Sequence, residues 1–417
     1  MNSILSYLIL LVNAKSMETQ IKVPELLAPA GNLDKLKLAI SYGANAVYLG
    51  GLKFGLRSAA DNFTDTELKE GVEFAHTHKA MVYVVLNGFL HDTDLDQMVS
   101  FIKYLDELQI DAVIVSDLGV IKTVLENSNL EVHLSTQASC LNVMSAKLWK
   151  KIGVTRIVVG REVSIAEAKQ IKEQAQIEVE MFIHGSMCMA YSGNCTISNF
   201  TQGRDSNRGG CAHSCRFDYS INFNEMDLEK KHHYFMSSKD LNGLRMLEEY
   251  IKAGIDSVKV EGRMKSHLYA STISKVYSQA LKFYQTHGHF LSDQIEEWES
   301  ELKKFTHRSY APTNLLQKAG AETIFNEREH SKDADYVMVG RVIETVKDES
   351  IIIEVRNAFN LGDTIEYLPF SGRVISQTAQ SILNMNGESI TRTKPTTLVK
   401  LPYLPNIEVN NVIRMQS

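Results

Sequence analysis

From residue 24 to about residue 263, short runs rich in Val, Ile and Tyr alternate with stretches of helical periodicity. This alternation constrains the fold more than any other feature. A repeating strand–helix–strand unit buries its apolar faces by building a parallel sheet covered by helices. Eight strands are predicted, at 25–29, 46–50, 81–87, 112–117, 132–137, 156–162, 178–185 and 257–261. Several are apolar nearly throughout, as strands buried on both faces are.

The intervening segments carry helix signals with a mechanism. Thr64 with Glu67, and Ser164 with Glu167, fit the capping box, in which each side chain satisfies the other residue's free N–H. Asn32 can cap the helix after the first strand and Gly43 can end it. Thr93 is placed as an N-cap, followed by Leu95, Met98, Ile102 and Leu105 at helical spacing.

These elements predict a TIM-like (β/α)₈ barrel, with a doubly wound open sheet as the alternative. The barrel is preferred because polar residues recur at the strand ends: Asn87, Asp117, Gln137, Arg161, Glu162, His184, Glu261 and Arg263. Closure would bring those ends to one face, where barrel enzymes do their chemistry. An insertion at 186–234 separates the last two strands, and a helical extension at 266–305 follows the barrel. Alternating runs at 336–343, 350–356, 364–368, 397–401 and 409–415, with turn signals at Gly362-Asp363 and Asn386-Gly387, then predict a small β-barrel domain. The division expected is a leader at 1–22, a barrel domain at 23–330 and a C-terminal domain at 331–417.

The insertion holds four of the five cysteines: Cys188, Cys195, Cys211 and Cys215. Six, fifteen and three residues separate them in turn. Four thiolates match the ligand count of a zinc or an iron–sulfur site. Zinc sites usually show tight two-residue spacings, whereas long irregular spacings suit a cubane. Iron–sulfur is preferred, with zinc and inert core cysteines as the alternatives. Clustering in a long chain argues against a disulfide framework and for a reducing, cytoplasmic compartment. Cys140 reads as a small buried residue. Arg204, Arg208, His213 and Arg216 lie among the ligands, and Lys259, Arg263, Lys265 and His267 follow the last strand. Together they suggest anion recognition at the barrel mouth.

A net charge of -6 excludes a protein that coats nucleic acid by charge alone, but not a local basic patch. No run approaches the ~20 apolar residues of a membrane helix. The apolar run at 4–12 lacks a preceding Lys or Arg, so a signal peptide is not expected, and Met17 is the preferred start.

The stretch His184-Gly185-Ser186-Met187-Cys188-Met189-Ala190-Tyr191-Ser192-Gly193-Asn194-Cys195 resembles the signature of peptidase family U32, the collagenase-like peptidases. Glu25-Leu26-Leu27-Ala28-Pro29-Ala30-Gly31-Asn32 resembles the family's opening. Ala46-Val47-Tyr48-Leu49-Gly50-Gly51, His133-Leu134-Ser135-Thr136-Gln137 and Lys259-Val260-Glu261-Gly262-Arg263-Met264-Lys265 follow in the family's order. The resemblance covers about 24–285 strongly, and the C-terminal domain by length and pattern.

Despite the name, this resemblance implies oxygen-independent hydroxylation with a 4Fe-4S cluster. One branch converts the wobble uridine of tRNA to 5-hydroxyuridine with prephenate as oxygen donor, one hydroxylates a cytidine of ribosomal RNA, and one serves ubiquinone synthesis. The cysteine positions and the short insertion point to the tRNA branch. The partners implied are tRNA, the dicarboxylate prephenate and an unidentified electron donor. On this basis Cys188, Cys195, Cys211 and Cys215 are the expected cluster ligands. Tyr48, Phe54 or Tyr191 would stack on the base, with Gln137 also at the substrate. Arg57, Arg161 and Arg263 would clamp the dicarboxylate, and Glu162, His184 and Glu261 are the candidate acid–base groups. An RNA-binding or scaffold protein whose cluster only braces the insertion, and a peptidase, remain the alternatives. However, the chain has no His-Glu-x-x-His helix and no Gly-x-Ser-x-Gly elbow.

Overall fold

A computed structural model describes residues 21–52, 54–56, 61–219, 234–324 and 335–417. The first strands are β1 (Glu25–Pro29), β2 (Ala46–Leu49), β3 (Met81–Leu86), β4 (Ala112–Val115), β5 (Glu131–Leu134), β6 (Arg156–Val158) and β7 (Glu178–Ser186). Each pairs in parallel with the next. A short strand, β8 (Asp240–Asn242), comes before β9 (Ser257–Val260). β9 is parallel to both β7 and β1, which closes an eight-stranded parallel barrel. The doubly wound alternative is excluded by that closure.

The alternation along each strand explains two separate cores. Outward residues such as Leu26, Val47, Val84 and Val113 pack under the helices. Inward residues Leu27, Tyr48, Tyr83, Val85 and Ile114 form a smaller apolar layer within the barrel. The interior also holds charge. Arg156 pairs with Glu25 at 2.7 Å, and Lys259 pairs with fully buried Glu180 at 2.8 Å. Buried charges survive only when paired in this way.

Thr64 and Ser164 form the expected capping boxes with Glu67 and Glu167. Asn32 accepts the Lys35 N–H, and Gly43 follows the Leu33–Ser41 helix at φ +98°. Thr93 is not a cap. It lies inside a one-turn helix, Asp92–Leu95, and a second helix begins at Met98. The Asp94 carboxylate accepts the His91 N–H and an Arg208 N–H, which holds this break in place. The extension divides into His267–His287 and Ser292–Glu301, separated by Gly288 in the left-handed region.

β8 escaped the sequence reading. It runs antiparallel to the end of β7, and β10 (Tyr310–Ala311) adds beside it. Three mostly polar residues carry no strand periodicity, so only the neighbouring strand defines them.

The C-terminal domain is a seven-stranded antiparallel sheet of β11 (Tyr336–Val346), β12 (Ser350–Val355), β13 (Thr364–Leu368), β14 (Ile375–Thr378), β15 (Leu383–Asn384), β16 (Leu398–Pro402) and β17 (Val412–Gln416), in the order β14-β13-β17-β11-β12-β16-β15. Among the described residues its two edge strands, β14 and β15, are not paired with each other. The small β-barrel domain expected from the sequence is thus present as an antiparallel half-barrel. The Tyr42 hydroxyl ties it to the first domain, donating to the Leu368 carbonyl at 2.6 Å and accepting the Val412 N–H at 2.9 Å. The expected boundary at 330/331 and residues 1–20 of the expected leader lie outside the described residues. Among the described residues no helix is long and apolar enough to cross a membrane.

Candidate active site

The C-terminal ends of the barrel strands surround a cavity of about 110 Å³. Its walls combine the insertion with the strand ends. Cys188, Cys195, Cys211 and Cys215 all line it, facing Tyr48 from β2, Phe182 from β7 and Lys259 from β9. Asn87, Ser135, Gln137, Arg161, Glu261 and Arg263 complete the polar wall.

Local hydrogen bonds fix the course of the insertion. Gly185 (φ +109°) lets β7 approach β9, since a Cβ there would stand 2.4 Å from the Glu261 carbonyl oxygen. Glu162 accepts the Ser192 N–H at 2.7 Å and its hydroxyl at 3.1 Å. This holds a tight turn in which Ser192 adopts φ +49°. Asn207 brackets Cys195, accepting its N–H and donating to its carbonyl. Arg208 crosses to the Phe89 carbonyl and Asp94.

None of the four lining cysteines is in a disulfide. Burial raises the Cys215 thiol above its ordinary pKa; Arg216 opposes that rise, and the other three cysteines add to it. The four thiols share the wall of one cavity, so they are the residues that could hold a metal or cluster there. Cys140 is fully buried outside the cavity, and burial pushes its thiol up to about 11.

The expected substrate and acid–base residues separate into groups. Tyr48, Gln137, Arg161, Glu261 and Arg263 reach the cavity. The Arg161 guanidinium lies 4.1 Å from the Phe182 ring centre and 3.9 Å from Glu261. The Tyr48 hydroxyl donates to the Val260 carbonyl and lies 3.5 Å from Glu261. Arg263 is 5% exposed, donates to Asn62 and packs beneath Gly50, so it supports the wall as well as facing the cavity.

Other expected residues lie elsewhere. Phe54 lines an adjoining cavity of about 410 Å³ with Asn62 and Arg208. Tyr191 is 61% exposed and outside the cavity wall. Glu162 braces the insertion. Arg57 lies outside the described residues.

His184 is displaced most clearly. The β7–β9 register slips between Phe182 and His184, so that His184 stands opposite Val260. A one-residue slip reverses the side-chain face. His184 therefore leaves the barrel interior for a buried aromatic nest, 3.2 Å from the Tyr277 hydroxyl and beside Tyr269, Phe305 and Tyr310. Burial lowers its pKa to about 3, so it is neutral at pH 7. It is a core histidine, not an acid–base group at the cavity.

Phe182 and Ser135 were missed as wall residues. Ser135 stood two residues before Gln137 in sequence. Phe182 is a core residue by type.

The model of Peptidase family U32 matches residues 31–324, and that of the Peptidase family U32 C-terminal domain matches 334–414. The chain belongs to peptidase family U32. This U32 chain is 40% identical over 414 residues to tRNA hydroxylation protein P1 of Bacillus subtilis, with 97% of each chain covered. It is 30% identical to tRNA hydroxylation protein P of Escherichia coli, covering 94% of this chain and 97% of that protein. A 23S rRNA 5-hydroxycytidine synthase of Escherichia coli is 37% identical over 257 residues, 62% of this chain and 39% of that protein.

Proposed function

We propose that this U32 chain is a cytoplasmic RNA hydroxylase that converts a tRNA wobble uridine to 5-hydroxyuridine without molecular oxygen. The observation that carries the reading is the shared cavity, where four thiols meet three cations, Arg161, Lys259 and Arg263, at the open end of a barrel. The likeness to two tRNA hydroxylation proteins along nearly their full length supports the choice of RNA.

The residues divide the work by position. Cys188, Cys195, Cys211 and Cys215 would hold a 4Fe-4S cluster, which supplies redox or Lewis-acid chemistry when bound. Arg161 and Arg263 present planar donor forks, and Lys259 a point charge, to the carboxylates of a small dicarboxylate such as prephenate. The uracil has to leave its stack to enter a buried site. Tyr48 and Phe182 provide apolar wall for the ring, and Gln137 a polar edge. Glu261 is the carboxylate on the cavity wall, placed to take the proton lost from C5 when C5–H becomes C5–OH. Its neighbours are Arg161 at 3.9 Å and the Tyr48 hydroxyl at 3.5 Å. The oxygen donor is the oxidant: R–OH + C5–H gives R–H + C5–OH, so the donor takes the two electrons the ring loses, and the C5 proton returns to it by way of Glu261.

Anaerobically purified protein should be brown and carry about four irons and four sulfides per chain. One zinc per chain and no iron after anaerobic reconstitution would contradict the cluster. A second reading, cytidine hydroxylation in ribosomal RNA, is favoured by the likeness to the 23S rRNA enzyme over 257 residues. The absence of a modified uridine together with loss of a modified cytidine would select it.

A further inference from the structure

We propose that Arg216 is a positioning residue for the two outer cysteines, Cys188 and Cys215, and that its charge tunes the group they hold. The inference rests on the cluster reading above.

Arg216 directly follows Cys215 in the turn Ser214–Arg216. Its Nη2 donates to the Met187 carbonyl at 2.5 Å, on the residue preceding Cys188. Its Nη1 donates to the Ser238 carbonyl at 2.8 Å and to the Ser237 hydroxyl at 3.1 Å. One side chain thus fastens the first ligand's segment, the last ligand's turn and the approach to β8. The first and third segments continue the end of the β7–β8 ladder, where Ser186 pairs with Asp240, and Arg216 ties the last ligand's turn to both.

The residue type matters for two separate reasons. A guanidinium offers several donors in a rigid plane, whereas an ammonium cannot span the same three acceptors. The charge is also left over. All three hydrogen-bond acceptors are neutral, and the nearby Asp240 carboxylate is taken by Arg308 at 2.5 Å. Among the described residues no carboxylate stands in ion-pair contact with Arg216. A fixed cation beside four thiolates favours whichever state of their ligand carries more negative charge, so it raises the reduction potential of a bound cluster. Cys195 has its own neutral brace in Asn207. Among the described residues, position and charge therefore coincide at Arg216.

Two substitutions separate the effects. Arg216→Lys keeps the charge and loses the fork. Arg216→Gln loses the charge and most of the fork. Both are compared with the parent after anaerobic reconstitution, by the rate at which a chelator bleaches the visible absorbance and by the midpoint potential. Partners that orient metal ligands typically contribute 10–100-fold to metal retention, so both variants should bleach about tenfold faster or more. The potential should fall in Arg216→Gln and stay near the parental value in Arg216→Lys. Parental bleaching in both variants, or a parental potential in Arg216→Gln, would overturn the inference while the cluster reading stands. If Arg216→Gln does not fold, Arg216→Lys decides by its bleaching rate. A parent that takes up no iron overturns the cluster reading and this inference with it.

Discussion

Arg161 and Glu261 face each other at the barrel mouth, with Nη2 3.9 Å from Oε2, one following β6 and the other following β9. The separation is long for an ion pair, so Arg161 is not consumed by Glu261 and keeps donors for a ligand. Replacing Arg161 by Lys should weaken binding of the dicarboxylate about tenfold or more, because a charge-assisted bond of roughly 1.5–3 kcal/mol loses its fork geometry. Calorimetric titration gives the affinity and a thermal melt gives the stability. A lowered Tm with parental affinity would show that the pair serves only the fold.

His184 should leave the pH–rate profile untouched between pH 5 and 8, because it is neutral there and outside the cavity. It should instead shape stability. Its pKa falls from 6.5 unfolded to about 3 folded, so the unfolded chain binds more protons between those values. The resulting stability is present above pH 6.5 and is lost as the pH falls toward 3. Between pH 7 and 5 the loss is about 2 kcal/mol. Denaturant unfolding at the two pH values should show this loss in the parent and a smaller one in His184→Phe. Equal losses in both would contradict the burial argument.

The domain seam depends on the Tyr42 hydroxyl, which serves Leu368 and Val412 together. Tyr42→Phe keeps the ring and strands a buried carbonyl and a buried N–H. Each stranded group costs about 1–3 kcal/mol. The half-barrel should unfold at lower denaturant than in the parent, while the capped helices beginning at Asp65 and Ile165 stay intact. Hydrogen exchange resolves the two regions, and parental protection of Val412 would refute the prediction.

The barrel was legible because its evidence is local. Apolar strands such as β4 and the capping boxes at Thr64 and Ser164 each announce themselves within a few residues. The cysteines and the strand-end positions of Arg161 and Glu261 were legible for the same reason. What failed depends on pairing between distant segments. The slip that turns His184 outward exists only in the β7–β9 register, and β8 exists only against the end of β7. The one-turn helix at Asp92 is held by Arg208, more than a hundred residues away. The interior pairs Arg156–Glu25 and Lys259–Glu180 were hidden because strand patterns register apolar burial and not paired charge.

The most direct test of the account is nucleoside analysis of tRNA from a strain lacking this gene, complemented with the parent or with Cys188→Ala. The account predicts that 5-hydroxyuridine or its derivatives disappear from a subset of tRNAs, return with the parent under anaerobic growth, and do not return with Cys188→Ala. Unchanged tRNA and rRNA nucleosides in the deletion strain, together with cleavage of gelatin by metal-free protein, would contradict it and establish a peptidase instead.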